Sequence, residues 1–252
     1  MLELRVEDDK ADKMLKGFLL ELYAYLALVG NITIESGLGK RAINLDPFLF
    51  SLDSLAGYPT FGCMFGCASE LFEIIPSICL LGRDRLLKSK QKEKDPTLKK
   101  YQALQAKIEN WQPPINLEYG TEENRQLVLA ARIYQQGLLI FLHASFFAYQ
   151  KDDFSHSLEV EHISNNMFEL LDAVSSKAAS TILWPIIILG SCLHLPERQR
   201  KLRTILSTSV FQMTSLTRAI QLLDWLWDDP TAFGPQGLDI VMKTHKVNFC
   251  MA

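Results

Sequence analysis

The chain has 252 residues, 48% of them hydrophobic, with a formal charge of −3 and a pI near 6.0. That length and apolar content fill a substantial core, which excludes a disordered tail. The near-neutral balance gives no global electrostatic case for nucleic-acid binding, whose footprint is a basic domain or a clustered basic face.

The opening MLELRVEDDKADKMLKG is acidic where a secretion signal carries basic residues and an apolar run. From Asp12 to Val29, the residues Leu15, Phe18, Leu19, Leu22, Tyr23 and Leu26 recur at spacings of three and four. The spacing predicts a helix with these side chains on one face, ending near Gly30-Asn31. A polar, glycine-bearing loop follows up to Pro47. Thr60–Lys88 is nearly all apolar through Leu81 and reads as helix with a kink or break at Pro76. Charge dominates residues 83–100, and the segment from about 88 to 100 reads as an exposed loop with Asp95-Pro96 as stop and restart.

A short helix over Tyr101–Trp111 ends at Pro113-Pro114. Glu122–Gln150 is the longest helical pattern, its stripe including Leu127, Tyr134, Leu138, Phe141, Leu142 and Tyr149. Helices are also expected over Ser157–Ser176 and Ser180–Leu193. In the latter, Ser180 or Thr181 caps the start, Trp184-Pro185 sits in the first turns, and Gly190-Ser191 lets a neighbouring helix approach. The apolar run Ile182–Leu193 is shorter than the ~20 residues a bilayer requires, so it reads as a core helix and no membrane span is expected. Pro196–Trp227 reads as one last helix, with Val210 and Met213 on its apolar stripe and its arginines on the solvated side. Residues 229–252 read as a C-terminal tail. No period-2 strand and no repeat of fixed period occur. The expectation is an all-α fold, a single-domain bundle of seven or more helices over residues 1–252.

Catalytic signatures are absent: no G-x-S-x-G elbow, phosphate loop, H-E-x-x-H or dinucleotide fingerprint is found. Five cysteines, an odd number in apolar surroundings, read as reduced and buried thiols of an intracellular protein of cytoplasm or nucleus. Cys63 and Cys67 share a face if helical, but no second ligand pair accompanies them, so neither a metal nor any other cofactor is expected. His143 lies in an apolar helix stripe, either as a satisfied core histidine or in contact with a ligand. Glu70 and Glu73, three apart, fall near one helix face, where burial raises a carboxyl pKa toward acid–base use; the alternative is that both reach solvent or pair with arginine. Asp224, Trp225, Trp227, Asp228 and Asp229 form an acidic aromatic cluster that either rims a cavity or anchors the tail.

Three stretches carry a family likeness: ELYAYLALVGNITIES (21–36), DSLAGYPTFGCMFGCASELFEIIPSI (53–78) and LWPIIILGSCLHLPERQRKL (183–202). The chain resembles the fungal-specific transcription factor domain, the helical regulatory domain of fungal zinc-cluster regulators, over about residues 15–228. The resemblance implies a helical domain that binds an effector or partner downstream of a DNA-reading zinc cluster. The six-cysteine cluster and its basic linker are missing from these residues, so no direct nucleic-acid binding is expected.

Two functions follow. In the first, the chain stands alone and binds an apolar small molecule, as an enzyme of fungal secondary metabolism that cyclises or isomerises a polyketide or terpenoid without a cofactor. Such reactions need little beyond folding the substrate and one or two hydrogen bonds. His143, Glu70 and Glu73 are its candidate catalytic residues, and Tyr134, Trp184, Phe141, Trp225 and Trp227 its candidate ligand contacts. In the second, the chain is the effector- or partner-binding part of a regulator, with a homodimer as one form such pairing takes.

Overall fold

The computed structural model describes residues 2–33, 47–88, 96–114, 121–147, 154–175, 182–208 and 214–247. Among them every regular element is helical, in the order α1 (Leu2–Val29), α2 (Ser69–Phe72), α3 (Ile75–Lys88), α4 (Pro96–Glu109), α5 (Glu122–Phe146), α6 (Phe154–Ala173), α7 (Leu183–Ser191), α8 (Pro196–Ser207), α9 (Thr214–Asp228) and α10 (Gly234–Thr244), with two short 3₁₀ turns at 47–50 and 53–55. The all-α expectation holds. The loop at 34–46, residues 89–95 of the charged segment, Tyr149, Ser180, Thr181, Val210, Met213 and the end of the tail from 248 lie outside the described residues. Lys88 ends α3 and residues 96–100 open α4 instead of belonging to an exposed loop, so the helix expected from Tyr101 starts at Pro96.

The centre of the bundle is α5, packed against α3, α4, α6, α7 and α10. Thr121 caps its start, the side chain accepting from the Asn124 amide at 3.4 Å, and Glu122 and Glu123 complement the positive end of the helix dipole. By length and composition α5 is apolar enough to cross a membrane, and in the bundle those apolar residues face neighbouring helices: everything from Leu138 to His143 is buried.

The stretch LWPIIILGS forms α7, in which all nine residues are buried. A helix apolar all round has to sit inside a bundle, and α7 is covered by α5, α8, α9 and α10. Two glycines set those distances. A Cβ on Gly137 of α5 would lie 2.5 Å from Pro185 Cβ, and one on Gly190 would lie 2.7 Å from a Leu223 methyl and 2.9 Å from one of Leu202. The Trp-Pro start and the Gly end of this stretch are therefore the two contact points of one central helix.

Four expectations change. In α1 the buried positions among those described are Gly17, Glu21, Ala24, Leu28 and Val29, while Leu15, Leu19 and Tyr23 are more than half exposed. The helix lies on the turns after Gly57 through Gly17, where a Cβ would come within 2.6 Å of Tyr58 Cβ. Thr60–Lys88 is not one kinked helix: residues 56–67 are turns, α2 is a single turn, and Pro76 opens α3 in its first turn, where its missing N–H costs nothing. Pro196–Trp227 is two helices, α8 and α9, which pack against each other. The tail contains α10, started by Gly234 at φ +61° and Pro235, and it buries Leu238 and Val241.

The arginine-rich start of α8 ties that helix down: Arg198 meets Glu161 and Lys201 meets Asp172 on α6, and Arg203 meets Asp224 on α9. Gln135 donates to the Ile108 carbonyl at 2.7 Å and the Trp111 carbonyl at 3.1 Å, satisfying the open carbonyl end of α4.

Candidate functional site

The residues expected to form a site separate into four places. Tyr134, Trp184 and Phe141 are core. The Trp184 and Tyr134 rings lie 6.1 Å apart and nearly parallel, and Phe141 meets Trp184 edge-on at 5.5 Å. Trp184 is fully buried, and its indole N–H donates to the Asn31 carbonyl at 3.2 Å, which ties α7 to the end of α1. Burial pushes the Tyr134 and Tyr25 hydroxyls above the ordinary tyrosine pKa, and the two hydroxyls bond each other.

His143 is buried and bonded. Its Nδ1 lies 2.7 Å from the Tyr101 hydroxyl on α4, and its Nε2 lies 3.4 Å from a carboxylate oxygen of Glu159 on α6. Glu159 is 44% exposed, so the three groups run from the core to the surface. Burial raises the Tyr101 pKa, and the negative charges of Glu159 and Glu109 raise it further.

Glu70 and Glu73 line a surface cleft of about 470 Å³ together with Leu52, Asp53, Phe61, Ser69 and Lys107. Glu70 is exposed and Glu73 half-buried. The Glu73 carboxylate accepts from the Leu52 amide at 2.7 Å, so it fastens the 3₁₀ turn at 53–55. The exposed Glu70 carboxylate lacks the burial that acid–base use calls for.

Trp225 and Trp227 also act on structure. Trp225 stacks on His245 at 3.9 Å, and the Trp227 indole donates to the Gly190 carbonyl at 2.9 Å, satisfying the last turn of α7. Burial raises the Asp224 pKa despite the opposing charge of Arg203, with Asp228 adding to the rise.

A second cleft, of about 290 Å³, opens between α6, the α7–α8 turn and the start of α10. Val160, Glu161 and Ser164 come from α6, Cys192 to Leu195 from the end of α7 and the turn, Arg198 from α8, and Phe233 precedes α10. The His194 and Phe233 rings stack at 4.2 Å, parallel within 3°. Arg198 Nη2 lies 3.1 Å from a Glu161 carboxylate oxygen. Gln199 donates to the Leu193 carbonyl at 3.0 Å and fixes the turn. Cys192 is buried and its thiol pKa is pushed up to about 12 by burial, so it is a neutral wall. Sequence reasoning missed this site because its parts come from three separated stretches, residues 160–164, 192–198 and Phe233.

The cysteines are not all buried: Cys79 and Cys192 are, whereas Cys63 is exposed and Cys67 is intermediate. Cys63 and Cys67 lie in turns, not on a shared helix face. No cluster of three or more His, Cys, Asp or Glu side chains suited to a metal occurs among the described residues.

The family model of the fungal specific transcription factor domain matches residues 2–250. Comparison with curated proteins and with solved structures finds no match.

Proposed function

Because the chain belongs to the fungal specific transcription factor domain family, we propose that it is the effector-sensing regulatory domain of a transcription regulator, acting inside the cell, with DNA recognition left to a separate module. The match over residues 2–250 carries this reading, since it spans every described helix rather than one motif. The cleft between α6, the α7–α8 turn and α10 supports it. Its walls come from separate parts of the chain, so a ligand filling the cleft touches all of them at once. A ligand shifts a conformational equilibrium only by its difference in affinity between the two states, and a cleft walled by separate helices supplies such a difference.

The reading as a cofactor-free cyclase has less behind it. His143 is held in the core, Glu70 and Glu73 line the other cleft, and Tyr134, Trp184 and Phe141 fill the interior. Glu70 and Glu73 share a cleft, but none of His143, Tyr134, Trp184, Phe141, Trp225 and Trp227 lines either cleft described.

The test is to fuse the chain to an unrelated DNA-binding domain and measure reporter transcription while metabolite fractions are supplied. Output that depends on a fraction, with the active compound recovered unchanged from purified protein, is the expected result. Constant output together with conversion of a compound by the purified protein would replace this reading with the enzymatic one.

A further inference from the structure

Three features of the 290 Å³ cleft converge on one kind of ligand. Its volume is at the small end of ligand sites, which fits one ring system with a short polar chain. Its wall carries a parallel pair of rings, His194 and Phe233, beside the aliphatic side chains of Val160, Leu193 and Leu195. At the same cleft stand one carboxylate and one guanidinium, Glu161 and Arg198, 3.1 Å apart, with side-chain exposures of 45% and 21%. An anionic ligand taking Arg198 would strip Glu161 of its partner, and a cationic ligand taking Glu161 would strip Arg198. A ligand that carries both charged groups on one carbon exchanges the internal pair for two external ones and leaves no charge unmatched.

We infer that this cleft binds an aromatic α-amino acid, its ring against the Phe233–His194 pair, its carboxylate on the Arg198 guanidinium and its ammonium on the Glu161 carboxylate. The guanidinium fork suits a carboxylate held by two parallel N–H bonds. The ring gains from stacking on an aromatic surface, and the Cys192 thiol, Leu193 and Val160 give it an apolar floor. Hydroxyl chemistry adds little here, since the Ser164 hydroxyl donates to the Val160 carbonyl at 2.6 Å within its own helix.

This assignment rests on the regulatory reading for its purpose but not for its test. Titration calorimetry of the full chain uses phenylalanine, phenylacetate and phenethylamine as probes. Saturable binding of phenylalanine is expected, at least ten-fold tighter than that of phenylacetate or phenethylamine. Arg198→Gln, Glu161→Gln and Phe233→Ala should each weaken phenylalanine binding ten-fold or more, with thermal melting showing that the variants stay folded. Absence of saturable binding at millimolar phenylalanine overturns the assignment, as does binding that survives Arg198→Gln and Glu161→Gln, or equal binding of phenylacetate. The reporter fusion separates the two claims: phenylalanine binding with no reporter response leaves the site and removes the regulatory reading. An effector response unaltered by Arg198→Gln and Phe233→Ala leaves the reading and removes the site.

Discussion

Glu21 on α1 holds the backbone at Gly62 from 41 residues away in sequence. One oxygen of its carboxylate accepts from the amides of Gly62, Met64 and Phe65 at 2.9, 2.8 and 3.3 Å, and the side chain is fully buried. Gly62, at φ +99°, opens the turn, and Gly66, at φ +57°, closes it by donating its amide to the Gly62 carbonyl at 2.9 Å, while the Cys63 amide goes to the Thr60 carbonyl. The contact fixes how α1 sits on the turns leading to α2.

Glu21→Ala is expected to be among the costly single changes. It leaves three amides without an acceptor in a buried place, at about 1–3 kcal/mol for each unsatisfied group before relaxation. Glu21→Gln keeps one oxygen for those amides and should cost clearly less. Urea unfolding of both variants checks this, and equal midpoints for the two would show that the carbonyl-like acceptor is not what matters.

Two glycines give a ranked pair. Alanine at 137 meets Pro185 Cβ at 2.5 Å and Pro185 Cα at 3.0 Å, a rigid ring and backbone. Alanine at 190 meets the methyl ends of Leu223 and Leu202, the far ends of flexible side chains instead of backbone. Both changes recover about 1 kcal/mol of helix propensity, against an overpacking cost of about 1–3 kcal/mol. Gly137→Ala should therefore destabilise and Gly190→Ala should be nearly neutral, as read from their thermal midpoints.

What the sequence disclosed and what it hid divide along a physical line. The 3.6 period and the proline and glycine stops located α5, α7 and the restart at Pro96, because those features act within one helix. The buried face of α1 was misread: Leu15, Leu19 and Tyr23 have the right period, but Gly17 and Glu21 face inward because of a loop far along the chain. The break between α8 and α9 was hidden because Leu202, Leu206, Leu216 and Leu223 keep a plausible helical spacing through it. Of the candidate site residues, Trp184, Tyr134, Phe141 and His143 are buried, and their apolar context in sequence is the signal that accompanies that burial. The Glu161, Arg198 and Phe233 cleft depends on three helices meeting, which no local pattern encodes.

The Tyr101–His143 bond is open to a double-mutant cycle. Tyr101→Phe leaves Nδ1 of a buried imidazole without the hydroxyl, and His143→Leu leaves the hydroxyl of a buried phenol without the imidazole. Each single change should cost about 1–3 kcal/mol, whereas removing both partners costs much less than the sum. A coupling energy near zero from denaturant unfolding would mean that the contact contributes nothing to the packing of α4 on α5.

Alkaline pH should unfold the protein through groups that the core keeps protonated. Burial pushes the thiols of Cys79 and Cys192 up to about 12 from an ordinary value near 9, and it raises the Tyr25, Tyr101 and Tyr134 hydroxyls above the usual 10. The folded pKa is above the unfolded one in every case, so the unfolded chain releases its protons first. Stability from these groups is then complete below about pH 9 and falls as pH rises toward 12, each thiol adding about 1.4 kcal/mol per pH unit to the slope between its two pKa values. Urea midpoints measured from pH 7 to pH 11 should be flat at first and then drop. Cys79→Ala and Cys192→Ala should each make the drop shallower while lowering the plateau through the small cavity they leave. A drop of unchanged steepness in both variants would assign the alkaline transition to the tyrosines and Cys67, whose thiol pKa burial also raises.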